Sequence, residues 1–106
     1  MEKIKAFHIL NKGQKVGALK IANLIKETSA LVMNYGLFGK GAYAHYYKNI
    51  NDKNFKNEPM VIFEIDSKEI TNRTWNRVEF ILIEGDQGED LVPIEILEFR
   101  NVQGIK

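Results

Sequence analysis

The chain of 106 residues has no cysteine, two prolines and two histidines, and Lys plus Arg (15) nearly balances Asp plus Glu (14). The missing cysteines exclude disulfides, thiolate metal sites and a cysteine nucleophile within the sequence. His8 and His45 lack the spacing of a zinc-protease helix motif, and no metal site is expected. A net charge of +1 provides no broad basic footprint for nucleic acid or an anionic membrane. No apolar run approaches the ~18 residues of a membrane span, and the charged start is followed by no signal-peptide core. The sequence therefore reads as a cytoplasmic protein without a membrane partner. Its content of Lys, Asn and Ile suggests an AT-rich bacterial or phage genome.

What is present is ordinary for a globular chain: 44% hydrophobic and 27% charged residues, in a length that suits one compact domain over 1–106. Ile4 to Leu10 reads as a strand with Ile4, Ala6, His8 and Leu10 on one face, ended by Asn11-Lys12-Gly13. Val16 to Glu27 has apolar Ala18, Ile21, Ala22 and Ile25 at helical spacing, with Leu24 beside them. Ala30 to Tyr35 reads as a short strand or buried connector. Polar Lys48 to Glu58 is a surface loop.

Beyond Pro59, Met60 to Asp66 is a strand with Val61, Phe63 and Ile65 on one face. Ser67 to Asn76 is ambiguous between strand and loop. Val78 to Glu84 and Leu91 to Phe99 read as two strands joined by a hairpin loop at Gly85-Asp86-Gln87-Gly88-Glu89-Asp90. The order of elements predicts an α+β fold, mostly antiparallel sheet with one principal helix after the first strand.

The most informative segment is Gly36-Leu37-Phe38-Gly39-Lys40-Gly41-Ala42-Tyr43-Ala44-His45-Tyr46-Tyr47. Glycine permits close backbone approach, and the tyrosines offer flat surfaces that stack and hydrogen-bond. It is either a pocket wall or a structural turn with core tyrosines. The glycines follow neither the dinucleotide fingerprint nor the P-loop, so no phosphate cradle of those types is read here. His8 is either a satisfied strand histidine or a donor to a ligand hydroxyl. Glu79 shares strand parity with Ile81 and Ile83, and is either solvated at the strand end or aimed into a polar cleft. Glu64 and Asp66 share a mixed face and read as solvent-facing acids.

In order, these pieces resemble the ADP-ribosyltransferase fold, in particular its poly-ADP-ribose-polymerase-like branch. Phe7-His8 resembles the first motif, the segment from Gly36 to Ala44 the second, and Glu79-Phe80-Ile81-Leu82 the third. The resemblance implies NAD as substrate, with His8 on the adenosine ribose, Gly41 and Tyr43 in the cofactor-binding segment, and Tyr46 or Tyr47 stacked on nicotinamide. It implies that Glu79 is the catalytic residue, and that a protein or nucleic-acid acceptor receives ADP-ribose. The alternative is a non-catalytic nucleotide-binding or protein-interaction module, so enzyme status stays open at this level.

Overall fold

The computed structural model describes residues 2–10, 15–36, 38–75, 78–84 and 90–105. Nine strands and one α-helix follow in order among them: β1 (Lys3–Ile9), α1 (Lys15–Thr28), β2 (Ala30–Val32), β3 (Asn34–Gly36), β4 (Gly39–Tyr46), β5 (Met60–Asp66), β6 (Ile70–Trp75), β7 (Val78–Ile83), β8 (Leu91–Pro93) and β9 (Glu95–Arg100). Single 3-10 turns occupy Tyr47–Asn49 and Ser67–Glu69. The α+β reading holds, with one helix following the first strand and every described pairing antiparallel.

Strand order in the main sheet is β6-β7-β4-β1-β5-β9, with β3 paired to β4; β2 and β8 form a separate ribbon. β1 pairs with β5 over seven residues, from Lys3↔Asp66 to Ile9↔Met60. Its ladder with β4 has only Ala6↔Tyr46 and Phe7↔His45. Alternation sends Ala6, Ala42, Ala44, Val61, Phe63, Ile81 and Ile83 to one face, where Ala18, Ala22 and Ile25 of α1 meet them. Alanines on both the helix and the sheet let the two layers approach closely. Leu31 and Val92, directly paired across β2 and β8, and Met33 complete this core.

The opposite face carries a second cluster of Phe7, Met60 and Ile62 covered by Ile50, with Ile9, Tyr47 and Phe55 packed against it. The segment 48–58 is largely exposed, yet it contributes buried Ile50 and half-buried Phe55 to that cluster. The helix ends where Ser29 adopts φ 51° and its N–H bonds the Ile25 carbonyl at 2.7 Å. Leu24, beside the apolar stripe, is 45% exposed rather than packed.

Two expectations are corrected. The strand pair around 85–90 is not a hairpin: β7 lies between β6 and β4, β8 pairs with β2, and β9 pairs with β5. The run 91–99 is broken at Ile94, whose N–H bonds the Ser29 carbonyl, so its two halves serve different sheets. Burial of Val92 against Leu31 directs β8 away from β7. The expected turn residues 85–89 and the stop at 11–13 lie outside the described residues. The ambiguous stretch resolves over 67–75 into a 3-10 turn, with Asp66 accepting from Lys68 N–H at 3.1 Å, followed by β6, and its last residue, Asn76, lies outside the described residues.

Candidate functional site

The three motif-bearing strands lie side by side in the order β1–β4–β7. After Phe7↔His45 the β1–β4 ladder stops, and the half-buried His8 imidazole lies at that opening. Its Nδ1–H donates to the Tyr43 carbonyl at 2.6 Å, because a carbonyl only accepts. In the neutral ring Nε2 is then the acceptor nitrogen. Burial pushes the His8 pKa below its ordinary value, and the Tyr43 hydrogen bond only partly opposes that.

The sign of the pH effect follows. Between the unfolded and the lower folded pKa, the unfolded chain binds a proton that the folded chain refuses, so stability rises with pH. Stability linked to His8 is complete above the ordinary histidine pKa of about 6.5 and declines as pH falls below it. Urea unfolding at pH 8 and pH 5 should show a loss at pH 5 that shrinks in His8→Gln. An equal loss in both proteins would assign the slope to other groups.

Tyr43 is half-buried and lies over the β3–β4 hairpin. Its hydroxyl donates to the Gly39 carbonyl at 2.6 Å and accepts from Phe38 N–H at 3.2 Å. A Cβ on Gly36 would fall 2.6 Å from the Tyr43 ring, so Gly36 supplies the space in which that ring rests. Tyr43 also joins an aromatic group: its ring centroid is 5.9 Å from Phe80, and Phe80 is 5.5 Å from Phe38. The Arg73 guanidinium lies 5.5 Å from the Phe38 ring, with Nη2 3.7 Å from Glu84 Oε1. Among the described residues, Arg73 Nε is buried without a hydrogen-bond partner.

Glu79 pairs with Thr74 across β6–β7, and the Lys48 ammonium lies 3.6 Å from its carboxylate. Its side chain is 38% exposed, so this ion pair contributes little to stability. The same ammonium lies 5.4 Å from the Tyr46 ring, which brings Glu79, Lys48 and Tyr46 into one cluster. Tyr47 is separate: Lys5 covers its ring at 3.9 Å, and it packs on the Phe7–Met60–Ile62 cluster. Gly41 is buried where a Cβ would fall 2.6 Å from Leu82 Cδ1 and 3.0 Å from the Ile83 carbonyl oxygen.

Of the six residues expected to form a site, His8 meets Tyr43, and Glu79 meets Tyr46 through Lys48. Strand alternation places the Tyr43 side chain on the face opposite Ala44, Ile81 and Glu79, whereas His8, in line with Ala6 and Val61, shares the face of Tyr46 and Glu79 and reaches Tyr43 through its backbone carbonyl alone. Three concavities lie elsewhere, one of about 390 Å³ between Ala18, Pro59 and Asn101, one on the outer face of α1, and one beside Glu64 and Asp66. None is lined by these six residues. Among the described residues, no group of three or more His, Asp or Glu is arranged to hold a metal ion.

Sequence reading missed Lys48, Phe80, Phe38 and Arg73. For Phe80 a signal existed, since it alternates with Glu79 and must face the Tyr43 side once β7 is known to pair with β4. No described helix is long and apolar enough to cross a membrane. No family model matches the chain, and no curated protein or solved structure matches it.

Proposed function

We propose that the chain is a small ADP-ribosyltransferase-like protein that binds NAD and transfers its ADP-ribose to a macromolecular acceptor. The observation that carries this reading is the adjacency of β1, β4 and β7, which brings His8, Tyr43 and Glu79 onto three neighbouring strands. The end of the β1–β4 ladder adds support, because there the His8 ring bonds the Tyr43 carbonyl through Nδ1 and keeps Nε2 as an acceptor.

In this reaction the glycosidic C–N bond breaks and its electron pair leaves with nicotinamide. The ribose is left as an oxocarbenium-like cation, which the acceptor nucleophile captures while losing a proton. A carboxylate aimed at the developing charge lowers the barrier, as in glycoside cleavage. In this reading Glu79 supplies the carboxylate, and the developing cation competes with Lys48 for it. His8 Nε2 is the ring atom left for a ribose hydroxyl. The Tyr43 ring lies on the face opposite Glu79, with its hydroxyl engaged by the hairpin, so Tyr43 contributes the backbone carbonyl that orients the His8 ring.

A second reading, a binding module without turnover, is favoured by the Lys48–Glu79 pair and by the lysines over Tyr46 and Tyr47. One experiment separates the two. NAD at about 100 times its Kd should stabilise the protein by ~2.7 kcal/mol, seen as a rise in Tm. Glu79→Gln should keep that rise while nicotinamide release falls by a factor of at least ~100. Binding without release in the parent protein supports the module. No Tm change with NAD, ADP-ribose or ATP removes both readings.

A further inference from the structure

The two outer strands of the main sheet, β6 and β9, are protected very differently. β9 carries exposed Glu95 and Glu98, pairs them with Lys3 and Arg100, and shifts register against β5 at Ile62/Phe63. Charges and bulges of this kind stop a sheet edge from recruiting another strand. β6 has no bulge and a single charge. Its sequence Ile-Thr-Asn-Arg-Thr-Trp pairs with β7 over six residues, Ile70↔Ile83 to Trp75↔Val78, without a register shift. The strand lacks Lys, Asp, Glu and Pro, and its one charge does not guard the edge. The Arg73 guanidinium is drawn to Phe38 and Glu84, over the sheet face. Among the described residues no strand lies on the outer side of β6.

We propose that β6 is a self-association edge, and that a second copy of the chain pairs with it antiparallel about a two-fold axis at Asn72. The argument for a second copy is the register that β6 permits against itself. Opposed residues in antiparallel neighbours project to the same face, so a two-fold pairing sets residues of equal parity opposite each other. Centring on Arg73 would oppose two guanidinium-bearing residues. Centring on Asn72 opposes Asn72 with Asn72, Thr71 with Arg73 and Ile70 with Thr74, which avoids like charges and pairs β-branched residues with partners they suit. Asn72 and Thr74 are exposed, so their side chains are available for such pairing. The sheet then runs continuously through both copies, with α1 of each on the same side. This association does not depend on whether NAD is bound.

Sedimentation equilibrium on the whole chain at high micromolar concentration should give the mass of two copies. Asn72→Lys sets two ammonium groups against each other across the axis and should return the mass of one copy with an unchanged circular dichroism spectrum. The sequence contains no cysteine, so Asn72→Cys introduces a unique thiol. Oxidation should link two Asn72→Cys chains, because opposed residues in this geometry lie within disulfide range, whereas Thr74→Cys should stay unlinked. A single-copy mass at every concentration overturns the proposal. So does a dimer that survives Asn72→Lys, or one that cross-links through Thr74→Cys and not Asn72→Cys. If Asn72→Lys fails to fold, the two cysteine variants decide the matter alone.

Discussion

Replacing Phe63 by Ala should destabilise the fold by about 3–5 kcal/mol, an appreciable part of the ~5–15 kcal/mol that holds a domain of this kind together. Phe63 is completely buried and is among the largest side chains to be so. It is flanked on its own sheet face by Ala6 of β1 and Ile96 of β9, and it belongs to the cluster capped by α1. Ala6 is too small to fill the space a lost ring leaves. The cavity would therefore persist and add to the lost transfer free energy. Urea titration should show a lower midpoint with an unchanged slope, since the surface exposed on unfolding is nearly the same. A loss below about 1 kcal/mol would mean that the helix settles into the gap, and the packing described for the alanine interface would need revision.

Gly41→Ala is the second large expected effect, about 1–3 kcal/mol of destabilisation. The added methyl would meet Leu82 Cδ1 at 2.6 Å and the Ile83 carbonyl oxygen at 3.0 Å. Leu82 is fully buried, so its rotation is hindered, and the carbonyl belongs to the strand paired with β4. Either Leu82 leaves its site or β4 and β7 separate locally. Gly39 is a useful contrast. A Cβ there meets nothing within 4 Å, but its φ of +93° is a conformation L residues rarely adopt. Thermal melting of Gly41→Ala measures the effect, and a domain of this size should lose roughly 4–8 °C for each kcal/mol. An unchanged Tm would show that Leu82 moves at no cost. If the loss is found, Gly41 serves first to admit Leu82, and any contact with a nucleotide is an additional role.

Much of the fold was legible in the sequence, for a physical reason. α1 buries one side, and alternate residues of β1 and β5 turn to the core beneath it, which writes a period into the chain: Val61, Phe63 and Ile65 at every second place, Ala18, Ile21, Ala22 and Ile25 at helical spacing. β6 left little mark because an edge strand in a polar stretch has few apolar partners to satisfy; Ile70 packs on the main core. The false hairpin arose from two strand-like runs close in sequence. Their partners were chosen instead by distant burial, Val92 by Leu31 and Ile96 by Phe63.

The site was legible in part. Strand parity placed His8 and Glu79 on the face of their apolar neighbours. The contact between His8 and Tyr43 left no trace in the pattern, because it runs through a backbone carbonyl that every residue possesses. The pairing of Glu79 with Lys48 was equally hidden, since Lys48 looks like any other cation in a polar segment until the chain closes on β7.

The central position of β1 has a consequence in time. Its two neighbours, β4 and β5, reach it through Phe7↔His45 and Ala6↔Phe63, so the middle of the sheet closes only after long loops have been drawn in. Such closure costs chain entropy before any contact rewards it, and folds dominated by it take milliseconds to seconds. The β3–β4 hairpin needs no such wait. Its ends are neighbours in sequence, the Tyr43 ring rests beside Gly36 of β3, and hairpins of this length form in about 1–10 μs. The aromatic hairpin is thus positioned to exist early, as the template against which β7 and then β1 find their register.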